Sequence, residues 1–379
     1  MTLDDAAAAR AASDALHARV LSMIRAFELA RPMPEPFDAL AVDLSRFQHR
    51  RVPGYARLCA ARGVDVRTIT RAGQAPAVPA DAFKLSRVFA FDDAEASVTF
   101  RTSGTTVGAR GAHPMRHTRS YDAAALAFGR AMLAPDLPPQ TPVIVIGPSA
   151  EEAPDSSLAH MCDLFAREMQ GGGVGAAFVR AGAIDLAGLR ARIGALRPGE
   201  RAIVLATSFA LVHMIDALAP ELDGALALPA GSRVMQTGGF KGRAREVSAD
   251  DLARDVARVF RIEPRWIAGE YGMTELSSQF WEATVVDPVA RRGVYLEPPW
   301  ARVVPVDPVS LDPVPEGEVG IARIEDLANV DSAFAVQTHD RVRRVHGGFE
   351  LLGRAAGAAP RGCSIALDEM LSASSRIGP

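Results

Sequence analysis

Cysteine is scarce: three in 379 residues, at Cys59, Cys162 and Cys363. An odd number at such wide spacing supports neither a disulfide framework nor a zinc cluster. A reducing cytoplasm is the simplest setting for such a chain. Excess charge is missing too. The formal net charge is −3, which excludes a broad electrostatic footprint for nucleic acid. The basic cluster Arg341-Val342-Arg343-Arg344 is local and reads as a solvated strand face. No uninterrupted apolar run is long enough for a membrane span. The best candidate, Ala202 to Ala219, is broken by Thr207, His213 and Asp216 and fits a buried strand followed by a helix. The first residues carry Asp4 and Asp5 and no signal-peptide core. What remains is an ordinary globular composition, 48% hydrophobic and 23% charged, on a chain long enough for more than one lobe.

The most informative stretch runs from Phe100 to Gly111. A short run, Ser97-Val98-Thr99-Phe100, reads as a strand before it. Thr118-Arg119-Ser120-Tyr121 opens a helix after it that reaches Leu133. Between them stand Thr102, Ser103, Gly104, Thr105, Thr106, Gly108, Arg110 and Gly111. Glycines let backbone N–H groups approach an anion, hydroxyls add donors, and Arg110 adds a fixed positive charge. That is the chemistry of a polyphosphate cradle, although the P-loop pattern GxxxxGKS/T is absent, so a Walker-type nucleotidase is disfavoured. An ordinary Ser/Thr/Gly surface loop is the alternative.

The Ala-rich run over residues 3 to 30 predicts a helix that stops at Pro32, Pro34 and Pro36. Two more helices follow, over 38 to 50 and 55 to 62, as packing elements or pocket wall. Residues 74 to 80 form a Pro/Ala connector leading to Phe83-Lys84. Apolar runs at 143–146, 202–206, 233–236 and 266–268, with a short strand at 176–180, then alternate with helical stretches at 156–170, 186–196, 209–218 and 250–260. Continuous apolar strands between helices imply a largely parallel sheet covered on both faces. Ligands bind at the carboxyl ends of such strands. Three strands are expected to lead into polar loops that converge on one crevice: Thr102 to Gly111, Thr237-Gly238-Gly239-Phe240-Lys241, and Glu270-Tyr271-Gly272-Met273-Thr274-Glu275. The pocket wall is expected to include Ser208 to His213. From about Val285 helical periodicity fades and prolines cluster. Short β-type runs at 301–306, 319–324, 333–337, 341–345 and 349–352 predict a smaller antiparallel sheet or barrel.

Four motifs now stand in order: Thr102-Ser103-Gly104-Thr105-Thr106, Tyr271-Gly272-Met273-Thr274-Glu275, Thr338-His339-Asp340 and Gly353-Arg354. Together they resemble the ANL superfamily of adenylate-forming enzymes. The closer resemblance is to the acyl-protein synthetase (LuxE) family. It is carried by Pro148-Ser149 through Met161, by Thr237-Gly238-Gly239-Phe240-Lys241, and by the tail from Leu352 to Ser364 with Arg361-Gly362-Cys363-Ser364. The implied fold is α/β: an ANL-type large lobe of largely parallel sheets flanked by helices, a smaller antiparallel β region, and no C-terminal ANL lobe. The expected segments are an N-terminal helical part at 1–90, a core at 91–284, a β-rich subdomain at 285–352 and a hinge-like tail at 353–379.

The resemblance implies that MgATP and a carboxylic acid, a fatty acid among the candidates, give an acyl-adenylate and pyrophosphate, and that a protein thiol then takes the acyl group. In that scheme Ser103, Gly104, Thr105 and Thr106, with Thr102 and Arg110 beside them, hold the β,γ-phosphates. Thr274 donates to the α-phosphate and Glu275 carries magnesium. Tyr271, Gly272, Gly238 and Gly239 enclose adenine. Asp340 accepts from the ribose hydroxyls, Arg354 touches ribose or phosphate, and Cys363 carries the acyl group, its thiolate favoured by the neighbouring Arg361 and its backbone free at Gly362 to swing towards the crevice. Two departures stand out. Val107 occupies the usual glycine position after the second Thr, and Arg110 replaces a lysine whose reach and shape it does not share. The resemblance also implies a lysine from a C-terminal lobe that stabilises adenylation; with 25 residues printed after Arg354 that lobe is not expected here, and Lys241 is the expected stand-in among the site loops. Plainer roles remain open: a core aromatic for Tyr271, a turn for Asp340, a buried core thiol for Cys363, and satisfied helix residues for His160 and His213. A CoA ligase or aryl-acid adenylating enzyme fits the same motifs, as does a subunit that binds nucleotide or acyl-adenylate without turnover. A cytoplasmic enzyme with a protein partner and no nucleic acid is the expectation.

Overall fold

The computed structural model describes residues 3–102, 110–170, 176–219, 221–238, 247–355 and 361–371. Ser103, Gly104, Thr105, Thr106, Gly239 and Lys241 lie outside the described residues. The chain divides into two units, one of Met1–Ala127, Met273–Ser278 and Glu297–Pro379, the other of Phe128–Gly272 and Gln279–Leu296.

The second unit holds the alternating α/β part. Strands Val143–Ile146, Ile203–Thr207, Arg233–Thr237 and Ile267–Tyr271 lie side by side and parallel, with Ala176–Ala177 beyond the first. Phe280–Glu282 and Val294–Leu296 extend this sheet antiparallel past Ile267–Tyr271. Ile144 partners Val204, and Val204 partners Val234. All three are fully buried, as continuous apolar runs in a two-faced sheet must be. Helices Ser157–Met169, Leu186–Gly194, Ser208–Leu218 and Ala249–Phe260 alternate with these strands. Each begins at a side-chain cap: Ser156, Asp185, Thr207 and Ser248 accept from the backbone N–H three residues on, worth about 1 kcal/mol apiece. Leu189, Leu211, Met214, Val256 and Phe260 join the sheet in one apolar core.

In the first unit, helix Leu3–Glu28 is followed by Phe37–Arg51 and Pro53–Ala61. Proline marks both later starts, at the N-cap Pro36 and at the first position Pro53, where its missing N–H costs nothing. Leu40 and Leu44 are fully buried. Gln48, also buried, donates to the carbonyls of Asn329 (2.8 Å) and Val330 (3.0 Å) and accepts from the Phe334 N–H (3.1 Å). These helices are therefore core elements of the unit. Its sheet is an antiparallel run of Ala301–Val306, Val319–Asp326, Ala335–Val345 and Gly348–Arg354. The two runs expected at 333–337 and 341–345 are one strand, because a register shift absorbs the residues between Gln337 and Arg341. Val78–Pro79, expected as connector, adds to Ala335–Val345 in parallel, Val78 opposite Val336.

One expectation needs correction. Val98–Arg101 does not belong to the parallel sheet. It pairs antiparallel with Ala112–Met115, Val98 opposite Met115 and Arg101 opposite Ala112, as a separate hairpin of the first unit. Only Phe100 of this strand is buried, and such a half-exposed segment suits a two-stranded ribbon better than a sheet packed on both faces. The helix Arg119–Leu133 follows the second hairpin strand. Beyond Gly353, residues Arg361–Leu371 form a helix docked on Pro53–Ala61: Arg57 donates to the Met370 carbonyl (2.8 Å) and Arg62 pairs with Glu369 (2.6 Å).

Candidate active site

Within the first unit, the segment Met273–Ser278 is held from three directions. The His113 Nδ1–H donates to the Thr274 carbonyl (2.7 Å). The acceptor is a carbonyl, so the proton must sit on Nδ1. Burial pushes this imidazole down to about 4. Asn329 donates to the Glu275 carbonyl (2.8 Å) and accepts from the Ser277 hydroxyl (2.6 Å). Asp326 accepts from the N–H groups of Ser277 and Ser278 (2.8 Å each), from the Ser278 hydroxyl (2.6 Å) and from the Ala328 N–H (3.0 Å). The Thr-Glu pair thus rests on a pinned backbone. Glu275 itself is buried. Burial raises its carboxyl above the usual range and Asp340 adds to the rise, while its own backbone N–H, Lys84 and Arg354 oppose it. None of His113, Asp326 and Asn329 belongs to a sequence motif recognised above.

Asp340 does not close a turn. It lies within the strand Ala335–Val345, half-buried and directly opposite Arg354. Past this pair the ladder jumps, Val342 facing Leu351, so the partner strand carries an extra residue. Gly353 has φ +81°, a left-handed conformation that glycine adopts without strain. A bulge of this kind re-aims the side chains beside it, here Arg354 across from Asp340. The Asp340 N–H donates to the Thr338 hydroxyl (3.0 Å).

The neck of the glycine-rich loop is closed in the same unit. The Thr102 N–H donates to the Gly111 carbonyl and the Gly111 N–H to the Thr102 hydroxyl, both at 2.9 Å. Arg110 donates to the carbonyls of Thr102 (2.7 Å) and Arg101 (3.2 Å). Its guanidinium therefore staples the neck as well as carrying charge there.

In the second unit, Thr237 and Glu270 are register partners on adjacent parallel strands. The Thr237 hydroxyl donates to the Glu270 carboxyl, which burial raises to about 7. Gly238 follows one strand, and its carbonyl accepts from the Ser208 hydroxyl (2.6 Å). Tyr271 ends the other, buried, with its ring 5.8 Å from Phe280 and 6.2 Å from Tyr295. Gly272 follows it, where a Cβ would lie 2.6 Å from the Glu270 carboxyl. The two loops thus leave the carboxyl ends of neighbouring strands, as the alternation predicted.

Cys363 requires a correction to its expected activation. It sits in the helix Arg361–Leu371, 2% exposed, packed on Val306 and Ile321. Its thiol lies 3.8 Å from the Thr338 carbonyl. Burial, with Asp81 adding to it, raises the thiol to about 11, which disfavours the thiolate that neighbouring Arg361 was expected to promote. Gly362 gives no swing: a Cβ there would come within 2.8 Å of Leu311 and of the Val309 carbonyl. Cys59 and Cys162 are buried as well.

Among the described residues no group of three or more His, Cys, Asp or Glu side chains is arranged to hold a metal ion. Magnesium is commonly held by one or two carboxylates together with substrate phosphates. The buried carboxyl of Glu275 fits an ion that arrives with a nucleotide. No helix among the described residues is long and apolar enough to cross a membrane.

Residues 196–372 match the family model described as acyl-protein synthetase, LuxE. No curated protein matches the chain. Among solved structures, the open conformation of 2-hydroxyisobutyryl-CoA ligase in complex with 2-HIB-AMP and CoA superposes with a TM-score of 0.62 at 13% identity, over 84% of this chain and 69% of the ligase. The thioesterification state of the same ligase gives 0.60 at 15% identity, over 84% and 68%. ATP-bound MatB from Rhodopseudomonas palustris gives 0.47 at 15% identity, over 71% and 50%. The fold is thus similar to that of the 2-hydroxyisobutyryl-CoA ligase, and the family match is to acyl-protein synthetases.

Proposed function

We propose that this chain activates a carboxylic acid as its acyl-adenylate and passes the acyl group to a thiol, in the manner of an acyl-protein synthetase. The supporting observation is the Thr274-Glu275 pair: a pinned backbone, and a buried carboxyl in the field of Lys84, Arg354 and Asp340. Transfer at phosphorus needs positioning and charge neutralisation more than covalent catalysis. In the proposed step a carboxylate oxygen bonds to the α-phosphorus. The bond to the bridging oxygen breaks, and its electron pair leaves with pyrophosphate. Thr274 donates to the α-phosphate. Glu275 holds magnesium, which would neutralise the polyphosphate. Asp340 accepts from the ribose hydroxyls beside Arg354. The proposed roles of Tyr271, Gly238, Lys241 and the Ser103–Thr106 loop remain those implied by the motifs. A thiolate then attacks the acyl carbon, and AMP leaves with the electrons of the broken C–O bond.

Family likeness favours a protein thiol as acceptor, and the burial of Cys363 makes an external thiol or a displaced helix Arg361–Leu371 the two routes. Incubation with ATP, magnesium and a panel of carboxylic acids, with and without CoA, tests both halves. AMP and pyrophosphate in equal amounts with one or more acids are expected, with a hydroxylamine-sensitive acyl label on protein. A label lost in Cys363→Ser while pyrophosphate release persists assigns that thiol. Acyl-CoA formation with no protein label replaces the protein-acceptor reading with a CoA ligase, and nucleotide binding without pyrophosphate replaces it with a binding subunit.

A further inference from the structure

The sequence contains only two lysines, Lys84 and Lys241, among 42 basic Lys and Arg residues. Lys84 matched no motif. It stands on the one-turn helix Ala82–Leu85; two motif-bearing segments of the first unit meet at that turn, and a third is reached from it through His113. The chain enters it from Val78–Pro79, the strand added beside Val336–Gln337, immediately before Thr338-His339-Asp340. The preceding Ala80 N–H donates to the Gln337 carbonyl (2.9 Å). Phe83 packs edge-on against His113 with ring centroids 5.6 Å apart, and His113 is the residue that holds Thr274. The stem of Lys84 lies over the neck of the glycine-rich loop, its Cγ 3.4 Å from where a Gly111 side chain would begin. A side chain there would crowd Thr102 and touch this stem.

The ammonium is held by one carboxylate. Lys84 Nζ lies 2.7 Å from Asp81, whose other oxygen is 3.3 Å from His339 Nε2. The lysine side chain is 39% exposed, so it can leave Asp81 for a stronger anion at low cost. The pairing itself contributes little stability, since an exposed pair is worth about 0–1 kcal/mol. Its charge also acts on Glu275 and Asp81.

We propose that Lys84 is the cation that engages the β,γ-phosphates of bound ATP and neutralises the departing pyrophosphate, with Asp81 holding it in place until nucleotide arrives. This rests on the adenylation reading and supplies from the first unit a positive charge that the motifs alone assign to no described lysine. A compact ammonium on a flexible stem suits a phosphate contact made only when ligand is present.

Two lysines in the chain make a direct test practical. Reductive methylation followed by peptide mapping reads Lys84 and Lys241 separately, with no ligand, with AMP and with MgATP. MgATP is expected to slow methylation of Lys84 at least tenfold, and AMP, which lacks the β,γ-phosphates, to leave it unchanged. In acid-dependent pyrophosphate exchange, Lys84→Gln is expected to lose about 100-fold in kcat with the acid KM unchanged and the melting temperature at the parent value, and Lys84→Arg to recover part of the loss. If MgATP binds by calorimetry yet leaves Lys84 methylation unprotected, or Lys84→Gln exchanges at the parent rate, the assignment of Lys84 is overturned while adenylation stands. If the parent binds no MgATP, the adenylation reading falls and this inference falls with it.

Discussion

At the scale of single residues, a few side chains with defined surroundings carry the proposed chemistry. Glu275 is buried, in the field of two cations and a second carboxylate. Glu275→Ala should lower acid-dependent pyrophosphate release at least tenfold, or ~1.4 kcal/mol of barrier, with the fold retained by circular dichroism; an unchanged rate removes the magnesium role. His113 makes a claim about stability. Its imidazole is pushed from 6.5 down to about 4 by burial. Between those values the unfolded chain binds a proton that the folded chain does not. Its contribution is therefore intact above pH 6.5 and is lost as pH falls towards 4, by up to ~3 kcal/mol at 1.4 kcal/mol per pH unit. His117 shifts in the same direction, also mainly through burial, and is common to parent and variant. Urea midpoints measured from pH 7 to 4.5 should fall more steeply in the parent than in His113→Gln. Parallel curves would show that His113 does not stay neutral in the fold.

At the scale of elements, the loop that carries Thr274 and Glu275 is shaped by a residue some fifty positions away. Asp326 ends the strand Val319–Asp326 and accepts four hydrogen bonds, three of them from Ser277 and Ser278. Asp326→Ala leaves buried donors unpaired, each costing about 1–3 kcal/mol. It should lower the unfolding free energy by at least ~2 kcal/mol and reduce pyrophosphate release in whatever folded fraction remains. A variant with parent stability would show that the Met273–Ser278 segment holds itself. Such a dependence is invisible in the sequence, because nothing in Asp326-Leu327-Ala328-Asn329 announces its distant partners. Strands with an unbroken apolar run, such as Val143–Ile146 and Ile203–Thr207, were legible, because burial on both faces leaves one solution. The helical stretches at 156–170 and 250–260 were legible as well, although the Ser248 cap lies two residues before the expected start. Val98–Arg101 was not: its two-residue alternation is compatible with any partner, and only the structure pairs it with Ala112–Met115. The Asp340–Arg354 pairing was likewise hidden, since it depends on the extra residue at Gly353. The packing around Cys363 was hidden too, because the Gly362 that suggests freedom is a packing glycine against Leu311.

At the scale of the whole molecule, composition and charge excluded more than they identified, and the motif order carried the family resemblance. The match to the acyl-protein synthetase, LuxE, model covers residues 196–372, and the fold likeness to 2-hydroxyisobutyryl-CoA ligase covers 84% of the chain and 69% of that ligase. Lys84, Thr102, Arg110 and Gly111 lie before the matched region, so their proposed part in the chemistry stands on the geometry of the first unit, and that of Ser103–Thr106 on the motif resemblance alone. The central claim is that this chain forms an acyl-adenylate reversibly from ATP and a carboxylic acid. The most direct measurement is exchange of radiolabelled pyrophosphate into ATP in the presence of a panel of carboxylic acids, with no thiol acceptor added. Exchange should require both magnesium and an acid, rise with the preferred acid and disappear when the acid is withheld. ATP that binds but never acquires label with any acid, or that is cleaved only to ADP and phosphate, would contradict it.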